Sequence, residues 1–161
     1  MERRNAWLSY TEAEEKELEK VADAYRNFLN VGKTERECVT QIVKEAQAAG
    51  YESLEEKAAK GEKLKAGDKV YTVGMKKIVA LFHIGQEDIE KGMNILGAHI
   101  DSPRLDIKQN PLYEDTDLAY LDTHYYGGVK KYQWVTLPLA IHGVIVKKDG
   151  SIAEVNIGED E

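Results

Sequence analysis

The sequence predicts an α/β fold in which N-terminal helices pack on a mixed β-sheet. Three observations lead there. Residues 11–30 and 34–49 are amphipathic segments, each opening on a Thr-x-x-Glu pattern. Two runs rich in β-branched and aromatic residues, 70–73 and 78–82, follow them. The apolar stretch carrying Met93, Ile95, Leu96 and Ala98 then leads into His99 and Asp101.

In the first helix, Thr11 and Glu14 have capping-box spacing, and Leu18, Val21, Ala22, Tyr25, Phe28 and Leu29 recur at steps of three and four up to Gly32. Thr34 and Glu37 repeat the signature, with Val39, Ile42, Val43 and Ala46 on one face and Gly50 as the stop. Cys38 lies in that apolar pattern and reads as a small buried side chain. Residues 53–59 form a shorter turn, opened by Ser53 and Glu56 and closed by Gly61. The mixed charges from Glu55 to Lys63 read as its solvated face.

Ala66-Gly67-Asp68 is a turn, and 70–73 with 78–82 form a hairpin around Gly74 and Met75. A polar loop over 85–92 precedes the apolar stretch, whose strand, 95–100, is expected near the centre of the sheet and ends before Pro103. Leu105, Asp106, Ile107 and Lys108 alternate as a half-exposed strand stopped by Asn110-Pro111. Residues 112–126 have no assignable period, and Gly127-Gly128 is a flexible turn. Residues 139–146 are strongly apolar, Asp149-Gly150 signals a two-residue hairpin, and Ile152, Val155 and Ile157 form the returning strand. No repeat or linker divides the 161 residues, so one domain, or part of one, is expected.

Composition narrows the function. A formal net charge of −7 with no basic stripe excludes a nucleic-acid partner. No run of about 18 apolar residues exists, so no membrane partner is expected, and Met1 to Asn5 are not followed by a signal-peptide core. With a single cysteine no internal disulfide forms, and the expected location is cytoplasmic. Phosphate-binding glycine motifs are missing, Ser102 has no nucleophile elbow around it, and Asp115, Asp117 and Asp122 lack calcium-loop spacing and read as solvated loop acids.

The chemistry concentrates at the end of the apolar stretch. Side chains two apart on an extended segment point the same way, so Asp101 can reach one ring nitrogen of His99 while the other faces a cavity. That pattern suits a metal ligand with a supporting carboxylate, and equally a hydrogen-bonded histidine at a strand end. His83 and His142 read as packed or hydrogen-bonded imidazoles, and His124, among tyrosines beside Gly127-Gly128, is the stronger further candidate.

The segment from Gly97 to Leu105 carries His99-Ile100-Asp101-Ser102-Pro103, which resembles the H-x-D-S-P motif of the M18 metalloaminopeptidases. Tyr126-Gly127-Gly128 followed by Trp134, then Gly143-Val144-Ile145-Val146-Lys147, and finally Asn156-Ile157-Gly158-Glu159-Asp160-Glu161, match in the same order. The resemblance implies part of a zinc-peptidase catalytic domain. It also implies peptide substrates cut at their N-termini, two zinc or other divalent ions such as cobalt, and a homo-oligomer in the complete enzyme.

On this resemblance His99 is a metal ligand, and Asp101 is the catalytic-site carboxylate that steadies its ring. The family's other ligands and its general base lie further along a longer chain, so the sequence is expected to be the N-terminal portion, inactive alone and poorly loaded with metal. Many eukaryotic members carry an Asp-Arg pair where this chain has Thr136 and Leu137, so no acidic-residue preference carries over. The alternative is a non-catalytic α/β module that acts by associating with another chain.

Overall fold

The structure is a computed structural model, and it describes residues 5–159. The first four residues of the signal-peptide reading, and Asp160 and Glu161 of the last motif, lie outside the described residues. The chain divides into two units, Met1–Leu96 and Gly97–Glu161.

The first unit begins with the two expected helices, α1 (Glu12–Val31) and α2 (Glu35–Ala48). Each is opened by a complete capping box, as the Thr-x-x-Glu spacing predicts. The Thr34 amide donates to Glu37 Oε2 at 2.8 Å, and the Glu37 amide donates back to Thr34 Oγ1 at 3.3 Å. Both orphan donors at the helix start are satisfied in this way. Removing the hydroxyl with Thr34→Ala is expected to cost about 1 kcal/mol, read as a lowered midpoint in urea with an unchanged slope. An unaltered midpoint would mean that the box is not holding the helix start.

β1 (Glu52–Ser53) runs parallel to β2 (Lys69–Gly74), which pairs antiparallel with β3 (Ile78–His83). The sheet is therefore mixed, with α3 (Leu54–Ala59) following β1. α2 contacts both β2 and β3, so helices pack on a mixed sheet as the sequence indicates. The buried apolar side chains are Cys38, Val39 and Ala46 of α2 with Val70 and Tyr71 of β2. Gln47 Nε2 donates to the Tyr71 hydroxyl at 2.9 Å, tying the helix to the central strand. The Cys38 thiol donates to the Gly32 carbonyl at 3.4 Å, and burial pushes its pKa up, which keeps it a thiol and not a nucleophile. Among the described residues no helix is long and apolar enough to cross a membrane.

One element departs from expectation in this region. The stretch expected as a central strand over 95–100 is irregular, with Ile95 79% and Leu96 fully exposed. No described strand pairs with it, and an apolar β-prone run without a neighbouring strand has no ladder to join. His99 and Asp101 therefore stand on an irregular segment, not at a strand rim.

The second unit contains two hairpins. β4 (Arg104–Asp115) pairs antiparallel with β5 (Leu118–Tyr126), and β6 (Ile141–Val146) with β7 (Ile152–Ile157). Asn110-Pro111 does not stop β4. A register shift between Ile107 and Leu112 takes the proline off the ladder, and pairing resumes with Leu112 opposite Leu121. The unassigned residues 112–126 complete this hairpin through Thr116 and Asp117, both left-handed with φ of 52° and 62°. Of the acids expected in a loop, Asp115 closes β4, and Asp122 sits within β5 in an ion pair with Lys108 at 3.0 Å.

The second turn also differs by one residue. The Lys147 amide donates to the Ser151 carbonyl at 2.8 Å and the Gly150 amide to the Lys147 carbonyl at 2.9 Å, so three residues, not two, are enclosed. Gly150 takes φ of 82°, the left-handed position such a turn requires. Asp149 Oδ1 accepts from the Ser151 hydroxyl at 2.7 Å and its amide at 2.9 Å, and these bonds hold its carboxyl below the usual range. A depressed folded pKa means that the contact supports the turn above the unfolded value and is lost as pH falls through the folded one. The Ser151 amide resonance is therefore expected to titrate in acid, below the ordinary aspartate range, and to be flat in Asp149→Ala. Titration at the ordinary value would contradict these contacts.

Candidate functional site

His99 and Asp101 meet in the structure as their spacing anticipates. Nδ1 of His99 lies 3.1 Å from Asp101 Oδ1 and 3.0 Å from the Asp101 carbonyl oxygen. Both partners are acceptors, so the neutral ring carries its proton on Nδ1 and presents a lone pair on Nε2. The His99 side chain is 83% exposed, which leaves Nε2 accessible from outside.

The carboxylate is held from its other side. The Tyr126 hydroxyl donates to Asp101 Oδ2 at 2.9 Å. This bond first, then one from the Asp101 backbone, holds the Asp101 carboxyl below the usual range, so it is ionised and serves only as an acceptor near neutrality. Strand pairing places Tyr126 directly opposite Arg104. The Arg104 guanidinium lies over the Tyr126 ring, 4.3 Å from its centroid, and its Nε donates to Asp106 Oδ1 at 2.7 Å.

Gly127 brings the two motifs together. It has φ of 75°, and a Cβ there would stand 3.3 Å from Pro103 Cα and 3.4 Å from its Cγ. A side chain at this position would be strained by the backbone and crowded by the proline. Ser102-Pro103-Arg104 and Tyr126-Gly127 are thus one local assembly beneath Asp101, where the sequence alone offered only a flexible turn. The contribution of Tyr126 has a signal in the sequence after all, an aromatic donor immediately before a glycine, but no spacing rule connects it to Asp101.

The remaining histidines lead elsewhere. His142 Nε2 is 2.9 Å from Glu159 Oε1, His124 Nδ1 is 2.8 Å from the Tyr125 carbonyl, and His83 closes β3 as an exposed residue. Among the described residues no three His, Cys, Asp or Glu side chains gather as a metal-binding group. The donor chemistry of His99 suits zinc, as an imidazole fixed on one nitrogen and open on the other, but a zinc shell takes three or four protein ligands. The chemistry of this pair suits one corner of such a shell.

Comparison with known proteins bears on this corner. A family profile described as "Aminopeptidase I zinc metalloprotease (M18)" matches residues 28–161. A probable M18 family aminopeptidase 1 of Clostridium acetobutylicum is 61% identical over 160 residues, covering 99% of this chain and 34% of that protein. The crystal structure of aminopeptidase I from Borrelia burgdorferi superposes with a TM-score of 0.90 at 40% identity, covering 98% of this chain and 38% of that one. That of an M18 aminopeptidase from Thermotoga maritima superposes with a TM-score of 0.88 at 41% identity, covering 99% and 34%. The chain spans about a third of the length of the curated relatives it matches.

Proposed function

The chain belongs to the M18 family of zinc metalloproteases, and on that premise we propose that it contributes part of the active site of an aminopeptidase, with His99 as a metal ligand and Asp101 as the carboxylate that orients it. The observation that carries this reading is the His99–Asp101 pair, which fixes the proton on Nδ1 and turns the Nε2 lone pair outward. An outer carboxylate of this kind orients the ring and makes the ligating nitrogen more basic.

In the complete enzyme the site holds two divalent metal ions, zinc or cobalt, which when bound polarise the scissile carbonyl and activate a water. Asp101 stays ionised and accepts a hydrogen bond from His99 Nδ1–H, and the hydrogen bond donated by the Tyr126 hydroxyl holds the carboxylate in place. On this reading the further ligands and the general base come from the part of the relatives' length that this chain does not span, so these 161 residues alone are expected not to hydrolyse peptides. Substrates are peptides with a free N-terminus. Exposed apolar side chains such as Leu112, Leu118 and Leu121 on the β4–β5 hairpin support assembly of the complete enzyme as a homo-oligomer. We place the protein in the cytoplasm, a reading that its single, buried cysteine supports.

The test uses the full-length protein. It is expected to release the first residue of an unblocked peptide and to spare the N-acetylated form. Chelation is expected to abolish turnover and zinc to restore it. Undiminished turnover by the metal-free protein, or cleavage within an N-acetylated peptide, would overturn the reading.

A further inference from the structure

The carboxylate that orients His99 must itself be oriented. A freely rotating Asp101 side chain on an irregular segment would share its time between His99 and water, and would leave the Asp101 carbonyl oxygen, 3.0 Å from Nδ1, as the one remaining acceptor that favours the Nδ1–H tautomer. The structure supplies a restraint from the hairpin. The Tyr126 hydroxyl occupies Oδ2 at 2.9 Å and leaves Oδ1 for His99. Tyr126 is in turn fixed by its register opposite Arg104, by the guanidinium over its ring, and by the approach of Gly127 to Pro103. A positive charge over the ring also draws density from the phenol and strengthens its O–H as a donor.

We propose that Tyr126 is a positioning residue for the metal-binding imidazole: its hydroxyl pins Asp101, and through Asp101 it keeps the proton on Nδ1 of His99 and the Nε2 lone pair free for zinc. The inference deepens the aminopeptidase reading and rests on it for the role of zinc. The tautomer itself does not depend on that reading. In this chain of effects Arg104 acts by holding the tyrosine ring.

The experiment is ¹⁵N NMR of the histidine rings in the 161-residue chain, at a pH where imidazole is neutral, with His99 assigned by the loss of its signals in His99→Gln. Wild type is expected to show His99 mainly as the Nδ1–H form, against the preference of free histidine for Nε2–H. In Tyr126→Phe, which keeps the ring under Arg104 and removes one oxygen, the ratio of Nδ1–H to Nε2–H is expected to fall by up to about tenfold, the factor that the weakening of one charge-assisted hydrogen bond represents. The signals of His83, His124 and His142 report whether the fold is retained. If that fold is disturbed, Tyr126→Trp, which retains a donor, is measured instead and is expected to keep the Nδ1–H form.

Zinc added to wild type then separates the two ideas. A zinc-dependent shift of His99 Nε2, with an unchanged tautomer ratio in Tyr126→Phe, would overturn the positioning role and leave the ligand reading standing. A tautomer ratio that falls in Tyr126→Phe supports the positioning role, and zinc content of the full-length protein then decides its purpose: a lower content in Tyr126→Phe ties the role to zinc, and an unchanged content removes zinc as its purpose. An Nε2–H majority in wild type would overturn the proposal outright.

Discussion

Replacing His99 with alanine in the full-length protein is expected to lower peptide hydrolysis by about 10³-fold or more and to reduce bound zinc, while the circular dichroism spectrum is unchanged. The magnitude follows from the several kcal/mol of charge stabilisation that a metal supplies, at tenfold in rate for each 1.4 kcal/mol or so. The unchanged spectrum follows from the position of the residue. His99 stands on an irregular segment with an 83% exposed side chain, and its ring nitrogen Nδ1 meets two oxygens of Asp101. A substitution there removes no core and no strand pairing. Full activity in His99→Ala with normal zinc content would mean that the ligand lies elsewhere.

The largest effect on stability is expected at Val70. It is 0% exposed on β2, and the apolar side chains buried with it are few: Cys38, Val39, Ala46 and Tyr71. Val70→Asp would bury a carboxylate at a fully buried apolar position, at a cost of several kcal/mol. That is a large share of the stability of a domain of this size, typically about 5–15 kcal/mol. The variant is expected to lose the cooperative thermal transition of the Met1–Leu96 unit, whereas Val70→Ala lowers its midpoint by an amount corresponding to about 2 kcal/mol. A cooperative transition retained in Val70→Asp would show that the core lies elsewhere.

The helical part of the fold is legible because its signals are local. Thr11 with Glu14, and Thr34 with Glu37, determine their helix starts within four residues, and the structure makes both reciprocal boxes. The β4–β5 hairpin is hard to read for the opposite reason. Its turn residues, Thr116 and Asp117, take left-handed conformations without a glycine, and its ladder steps past Pro111 by a register shift that no periodicity reveals. The apolar run before His99 reads as a strand because periodicity records burial potential, whereas a strand forms only when a neighbour pairs with it.

The candidate site divides in the same way. The His99–Asp101 pair is readable because the two residues are neighbours along the chain, and Nδ1 and Oδ1 do meet at 3.1 Å. Tyr126 is joined to Asp101 across 25 positions, through the strand pairing that sets it opposite Arg104, and only the folded hairpin reveals the link. The resemblance to a known family placed His99-Ile100-Asp101-Ser102-Pro103 and Tyr126-Gly127-Gly128 in order along the chain. The structure adds that Gly127 lies so near Pro103 that a Cβ there would meet the proline, which makes the two motifs one assembly.

The measurement that bears most directly on the central claim is anomalous X-ray diffraction at the zinc absorption edge from crystals of the full-length protein. The account predicts a zinc peak about 2.0–2.1 Å from His99 Nε2, with Nδ1 still directed at Asp101. Zinc bound only at sites remote from His99, with Nε2 hydrogen-bonded to protein or solvent, would contradict it.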